Sequence, residues 1–485
     1  MTPLQNFAHT LKRPNLAEYL STQVIGDGVE IDGPFGPKPL IYADYVASGR
    51  ALFPVENFIM QSVLPYYANS HTEASYCGAF CTRLRAEARA EIARMAGAGP
   101  DCSVVFSGAG ATAGINRVID LLAIRNRVAQ GDTVKVFLGP YEHHSNLLPW
   151  RECGAEVIEI PEANAGGPDP QLLEQALIEG RDADLIVGSF SAASNVTGIC
   201  APVEQITTIL KRHGAISVWD YAGGAPYMPF DMGQAAAEKD AIVYSSHKFP
   251  GGPGASGVLI LRDTIVRRDT PTTSGGGTVS FVSPWSHHYS TNVIAREEAG
   301  TPNVVGDIRA ALVMLVKEAM GQSYISNKNK ALRQKALAVW RRNPRIELLG
   351  NLEADETLPI FAFRVRRADG GLFHHQLFTR MLSDRYGIQA RGGCACAGSY
   401  AHSLLGIDQA QSDDIVARLS RGEEMCKPGW VRLNFSYLLS DGKADFIVNA
   451  VDELASSCDK YEDGYLGDPT TARFRPVLVG DQGAA

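Results

Sequence analysis

The chain has 485 residues, 45% of them hydrophobic and 20% charged, which is enough apolar material to bury a large core. Its 45 Lys and Arg against 53 Asp and Glu leave a net charge of −8, which argues against nucleic acid or an anionic membrane as the main partner. The start, MTPLQNFAHTLKRPNL, has no signal-peptide run, and the most apolar stretch, AALVMLVKEAM, is broken by Lys317 and Glu318, so no membrane span is expected. Nine cysteines (77, 81, 102, 153, 200, 394, 396, 426 and 458) are too scattered and odd in number for a disulfide framework. They read as the reduced thiols of a cytoplasmic protein.

In chain order, residues 1–40 are expected to pack onto a smaller domain formed further along. Residues 41–320 alternate strand-like and helical patterns. The strands are Val104–Phe106, Val134–Leu138, Val157–Ile160, Leu185–Phe190, Ile216–Trp219, Ile242–Tyr244 and Gly257–Leu261. Among the helices are Thr112–Ala123, Gln171–Glu179 and Val203–His213. Near-continuous Val, Ile and Leu suit strands covered on both faces, so the fold class is α/β with a large, mostly parallel sheet. Residues 321–466 carry helical patterns at Ser323–Arg342, Leu372–Tyr386, Asp413–Arg421 and Ala444–Tyr461. With strands at Ile360–Val365 and Trp430–Phe435, they predict a smaller α+β domain. Residues 467–485 are expected to be a partly disordered tail.

Four segments carry chemistry. Phe106-Ser107-Gly108-Ala109-Gly110-Ala111-Thr112 leaves a strand and enters a helix. Glycines let the backbone approach an anion, and the first-turn N–H groups attract phosphate. The segment lacks the lysine of a nucleoside-triphosphate loop. Tyr141-Glu142-His143-His144-Ser145-Asn146 follows the next strand and offers an imidazole; two adjacent histidines also raise a metal site, but carboxylate or cysteine ligands at suitable spacing are missing nearby, so no metal is expected. Ile216–Asp220 is an apolar strand ending in a carboxylate. Tyr244-Ser245-Ser246-His247-Lys248 ends another strand in a lysine, followed by PGGPG. A desolvated lysine at a strand's C-terminal edge can attack an aldehyde, and a carboxylate one strand away can hold a protonated pyridine nitrogen. Together they point to pyridoxal 5′-phosphate (PLP).

With these segments in view, the sequence resembles the class V aminotransferase superfamily, PLP fold type I, and within it cysteine desulfurases and selenocysteine lyases of the SufS type. The likeness covers about residues 40–465. It includes YADYVAS at Tyr42–Ser48, EHHSNLLPW at Glu142–Trp150, SNVTG at Ser194–Gly198, SSHK at Ser245–Lys248, EAGTPN at Glu298–Asn303 and RGGCACA at Arg391–Ala397. The resemblance implies a Schiff base on Lys248, Asp220 on the pyridinium nitrogen and His143 stacked on the ring. It implies Ala111, Thr112, Ser245 and His247 at the phosphate and Asn195 near the ring oxygen. Gly277 and Thr278, in the run Gly275–Thr278, would reach the phosphate of a partner subunit in a homodimer. Arg432, with Ala47 and Asn195, would bind the substrate amino acid.

Cys396 falls at the catalytic position of such desulfurases, which convert L-cysteine to L-alanine and pass sulfur from an enzyme persulfide to an acceptor protein. Three readings of Cys394 and Cys396 stay open. Cys396 carries the persulfide with Cys394 as bystander or relay, the two form a redox or metal pair, or both are inert in an enzyme of other class V chemistry. Cys77 and Cys81 raise a four-cysteine zinc site, against which stands ordinary packing on a helix. The rival activities are selenocysteine lyase, C–S lyase, epimerase and aminotransferase, or a silent scaffold in sulfur trafficking. Two features depart from the pattern. Gly223 stands where many desulfurases have glutamine, and an insertion including Asp408–Arg421 precedes Arg432.

Overall fold

Seven apolar runs of the first half become one sheet in the computed structural model, which describes residues 1–70 and 72–477. The strands are β1 (Cys102–Gly108), β2 (Val134–Leu138), β3 (Glu156–Glu159), β4 (Leu185–Ser191), β5 (Ile216–Asp220), β6 (Ala241–Ser245) and β7 (Gly257–Arg262). Their spatial order is β1-β7-β6-β5-β4-β2-β3. Only β7 runs against its neighbours, and the pairs β6–β5, β5–β4, β4–β2 and β2–β3 are parallel. Every residue of β6 is buried, as expected where helices cover both faces of a sheet.

The chain divides into two compact units. Met1–Ile25, Ser48–Ser194 and Cys200–Ile325 make the first; the described residues of Gly26–Ala47, Asn195–Ile199 and Ser326–Ala485 make the second. The opening residues are therefore split, whereas the sequence reading kept 1–40 together on the smaller domain. Helix α1 (Pro3–Thr10) explains the difference. Thr2 and Gln5 close a capping box at its start, Leu4 and Phe7 are buried, and the Phe7 ring meets Phe58 edge-on at 5.4 Å. Its Leu4 N–H also donates to Glu87 of helix α2 (Tyr76–Met95), so an amphipathic face commits it to the first unit. Gly26–Ala47 goes the other way because Ile41 and Tyr42 pair in parallel with Ile388 and Gln389.

Helix α3 (Gly110–Leu121) follows β1, α4 (His144–Glu152) follows β2, and α5 (Val304–Met320) closes the first unit with an almost wholly buried surface. Between them, β8 (Val279–Val282) and β9 (His287–Tyr289) form a hairpin with Phe281, Val282 and Trp285 exposed, Trp285 at 90%.

The second unit has an antiparallel sheet made of β10 (Ile346–Leu348), β11 (Ile360–Arg366), β12 (Leu372–Phe373), β13 (Arg391–Gly393) and β14 (Trp430–Asn434). The order is β10-β11-β14-β13, with β12 pairing β11. Helix α6 (His375–Tyr386) packs in one core with Phe363, Phe378 and Leu433. The expected helix from Leu372 starts later. Leu372 and Phe373 pair with β11, and the His374 ring caps α6 by accepting the Gln376 N–H at 3.2 Å. Helix α7 (Gly398–Leu405) follows the Cys396 segment, the insertion supplies α8 (Gln409–Ser420), and α9 (Asp441–Ser457) comes next. Near the end, β15 (Tyr465–Asp468) and β16 (Arg473–Pro476) form a hairpin where a partly disordered tail was expected; Tyr465 is buried and Phe474 packs on the core. The remainder of that expected tail, 478–485, lies outside the described residues.

Candidate active site

In the first unit the chemistry gathers at the C-terminal edge of the parallel strands. Asp220 ends β5 at 4% exposure, and its carboxylate accepts the Ala222 N–H at 2.7 Å. Burial pushes its carboxyl above the ordinary value, while that N–H and the charge of Lys248 pull it down. Lys248 closes a short 3₁₀ turn directly after β6, the strand next to β5, and is half-buried. His247 beside it is held below its usual range by burial first and by Lys248 second.

The turn from β1 into α3 forms a cradle. Gly108 and Gly110 have φ of +72° and +68°, which L side chains rarely adopt. A Cβ at Gly110 would lie 2.7 Å from Ser245 Oγ and 3.2 Å from the His247 ring, so only glycine fits. The Ala111 N–H donates to Ser245 Oγ at 3.0 Å. Thr112 Oγ1 lies 2.6 Å from Ser145 Oγ, and His143 Nδ1 accepts the Ser145 N–H at 3.1 Å. Ala111, Thr112, His143, Ser245 and His247 thus form one connected group at a helix N-terminus, where an anion is favoured. Ser107 and Ser246 hydroxyls are buried there without a hydrogen-bond partner. Gly277 and Thr278 lie in a turn before β8. Gly277 has φ +86°, and the buried Thr278 hydroxyl donates to Gly275 O at 2.7 Å.

In the second unit, Arg432 on β14 is 3% exposed. Its Nη2 donates to Asp44 Oδ1 at 2.6 Å and its Nη1 to Asn195 O at 3.3 Å, while Nε is buried without a partner. Burial lowers the Arg432 pKa, with Asp44 opposing. Arg391 Nε donates to the other Asp44 oxygen at 2.9 Å. Ala47 is half-buried in the turn after Asp44, its N–H on Asp44 O at 3.0 Å.

The Cys396 segment is a tight turn. The Ala397 N–H returns to Cys394 O at 3.2 Å, and the two central residues, Ala395 and Cys396, both have positive φ, +54° and +56°. That is the pattern of a type I′ turn, normally built from Asn and Gly, and each non-glycine residue there costs about 1–2 kcal/mol. Asn195 Nδ2 donates to Ala395 O at 2.9 Å and pins the strained peptide. Cys396 is exposed at the tip and Cys394 is half-buried. Cys81, in contrast, is buried on α2 and accepts the Ala68 N–H, which is ordinary packing. Among the described residues no group of three or more His, Cys, Asp or Glu is placed to hold a metal ion. Nor is any helix there long and apolar enough to cross a membrane.

Three residues escaped the sequence reading. Asp44 joins Arg432 across 388 positions; its signal is an apolar pair ending in a carboxylate, as at Asp220. Glu142 is buried under four donors: the Gly139 and Ser191 N–H groups, the Ser191 hydroxyl and Asn146 Nδ2. Burial nevertheless pushes its carboxyl up to about 7. It ties the end of β4 to the start of α4, where His143 sits. Lys317 is buried on α5 and donates to Ala225 O at 2.7 Å and Met228 O at 2.5 Å, clamping the turn that follows Asp220. Its signal is a lysine set inside the apolar run AALVMLVKEAM.

Residues 41–426 match the family model described as aminotransferase class-V. A probable cysteine desulfurase of Vibrio cholerae is 28% identical over 364 residues, 74% of this chain and 85% of that one. A cysteine desulfurase of Escherichia coli K12 is 28% identical over 363 residues, 74% of this chain and 84% of its own. Among solved structures, the apo cysteine desulfurase of Thermococcus onnurineus superposes with a TM-score of 0.69 at 24% identity, covering 86% of this chain and 95% of that one. The cysteine desulfurase CsdA of Escherichia coli gives 0.67 at 23%, covering 86% and 94%. The sheet order, the lysine and carboxylate on neighbouring strands and the extent of the family match agree: the chain belongs to the class-V aminotransferase family.

Proposed function

We propose that the protein is a PLP-dependent cysteine desulfurase that converts L-cysteine to L-alanine and leaves a persulfide on Cys396. The first-unit residues fit the cofactor. Asp220 is a carboxyl raised by burial, which a pyridinium nitrogen would favour as the carboxylate, and the Gly108–Thr112 cradle has room only for backbone at Gly110, beside Ser245 and His247. Lys248 would hold the aldehyde carbon, His143 would cover the ring, and Ala111, Thr112, Ser245 and His247 would hold the phosphate, with Asn195 toward the ring oxygen. When bound, PLP supplies an electron sink at the substrate α-carbon.

The remaining work falls to the chain. Arg432, kept charged by Asp44 and with its Nε unspent, binds the substrate carboxylate beside Ala47. Lys248 moves the proton at the α-carbon. The Cys396 thiolate attacks the substrate sulfur. A sulfur–sulfur bond forms as the carbon–sulfur bond breaks, and the electron pair stays on the substrate carbon, which takes a proton to become alanine. An exposed persulfide is open to the thiol of an acceptor protein.

Gly277 and Thr278 would serve the phosphate of a second copy. A homodimer is supported by the exposed Phe281, Val282 and Trp285 on the adjoining hairpin. The observation that carries the desulfurase reading is the Cys394–Ala397 turn, which spends backbone strain to present one thiol at its tip. Cys396→Ser should cut sulfide release from L-cysteine by at least about 100-fold while the bound cofactor keeps its yellow colour. Full activity in that variant, or pyruvate and ammonia as products, would replace this reading with a lyase.

A further inference from the structure

The insertion after the Cys396 turn does not pack down onto the sheet. Helix α8 has no fully buried residue, yet one face of it (Ala410, Gln411, Asp414 and Ile415) lines a cavity of about 830 Å³ within the second unit. The opposite wall is apolar, with Phe373, Phe378, Val431 and Phe474. Folding normally closes such space, because apolar walls left apart lose both burial and dispersion. A cleft of this volume, open on one side to solvent, lies in the range of small-molecule pockets.

Two arginines of the wall each carry a donor without a partner. Arg364 Nε and Arg367 Nε are buried and make no hydrogen bond, although their outer nitrogens reach Glu347 and Glu462. The His374 ring accepts the Gln376 N–H through Nδ1 at 3.2 Å and is hydrogen-bonded to the Met425 backbone. Burial pushes His375 down to about 3 and lowers His374 too, and the two rings stack at 4.7 Å. Two unspent donors, Arg364 Nε and Arg367 Nε, call for an acceptor oxygen, in a wall that also carries Lys427 and the carboxylates of Asp414 and Glu462.

The cavity wall stands one contact away from the Cys396 turn. Gly429 in its wall is so close that a Cβ would lie 2.8 Å from His375 Nε2 and 2.9 Å from Gly393 Cα. Gln376 Nε2 donates to Gly392 O at 3.2 Å. Gly393 leads into the turn, and α7, which leaves it, contributes Leu405 to the wall.

We propose that this cavity binds a small amphipathic organic acid, its apolar body between α8 and Phe373, Phe378 and Phe474 and its acid group on Arg364 and Arg367, and that occupancy stiffens the Cys396 turn. The second half rests on Cys396 being the reactive thiol; the first does not.

The test titrates the full-length protein with 8-anilinonaphthalene-1-sulfonate, which has apolar rings and one sulfonate, and with the uncharged N-phenyl-1-naphthylamine. One sulfonate probe should bind per chain. Ile415→Trp and Ala410→Trp fill the space from a helix with no fully buried residue, and each should weaken both probes by about tenfold or more. Arg367→Gln should weaken the sulfonate about tenfold and the uncharged probe by less than about twofold. Saturating sulfonate should slow iodoacetamide labelling of Cys396, followed by peptide mass, several-fold in the native chain and not in Ile415→Trp. Absence of saturable binding, or binding unchanged in both tryptophan variants whose melting shows them folded, overturns the site. An unchanged labelling rate under saturating probe overturns the link to the turn. Because binding is read without amino acid or turnover, it stands or falls separately from the desulfurase reading.

Discussion

The two regions that carry reactive groups are built on opposite physical terms. In the first unit, Lys248 and Asp220 sit at the ends of neighbouring buried strands, beside a buried Ser245 and a Gly110 that nothing larger can replace. In the second, Cys396 stands exposed on a turn whose two central residues are left-handed without being glycine, held by one Asn195 bond. A cofactor has to be held still, whereas a thiol that hands on sulfur has to be reached. Rigidity in the first region comes from packing, and in the second from a strained peptide pinned at one point.

That contrast breaks most sharply at Lys248. Lys248→Ala should lower alanine formation from L-cysteine by at least about 10³-fold, and borohydride treatment should no longer attach the cofactor to the peptide carrying that position. Retained activity would strip the first region of its chemistry.

A second test addresses burial itself. Burial holds Lys317 down to about 7 from an ordinary 10.5, and its amine lies 4.7 Å over the Phe230 ring. Between those pH values the unfolded chain binds the extra proton, so folding becomes more favourable as pH rises. The penalty of this lysine is complete below about pH 7 and is relieved toward pH 10.5. Lys317→Met should therefore compare best with the native protein near pH 7. It should lose ground steadily as pH rises, on top of a constant loss from the unbonded Ala225 and Met228 carbonyls. Melting temperatures of both chains from pH 7 to 10 check this; a difference independent of pH would show that the amine is not desolvated.

The smallest effect is expected at the turn. Ala395→Gly removes about 1–2 kcal/mol of left-handed strain but frees the unfolded chain by about 0.4–1 kcal/mol. The net gain should be about 1 kcal/mol or less by denaturant unfolding, with cofactor binding unchanged. A clear loss would mean that the turn is not strained.

Much of the first region was legible because its signals are local. Val134–Leu138 is a strand with the bounds expected, and Asp220 and Lys248 both fall where an apolar run stops. The glycines before α3 announce a close backbone approach in four letters. The second region was harder to read. Leu372 and Phe373 read as the start of a helix and became a strand because β11 was there to pair with them. The α1 face shows that something covers it but not what, and it went to the first unit rather than the second.

The amino-acid order alone determined which groups exist and which strands and helices present them: an amine and a carboxylate at strand ends, a glycine turn into a helix, a thiol among small residues. Those outcomes depend on neighbours within a few positions, where propensity and periodicity act. Only the tertiary structure decided that Asp44 holds Arg432, that Glu142 and Lys317 are buried, and that α8 stands off an apolar wall. Each of these depends on chain segments far apart in sequence, where burial and hydrogen-bond satisfaction are settled only once the whole unit closes.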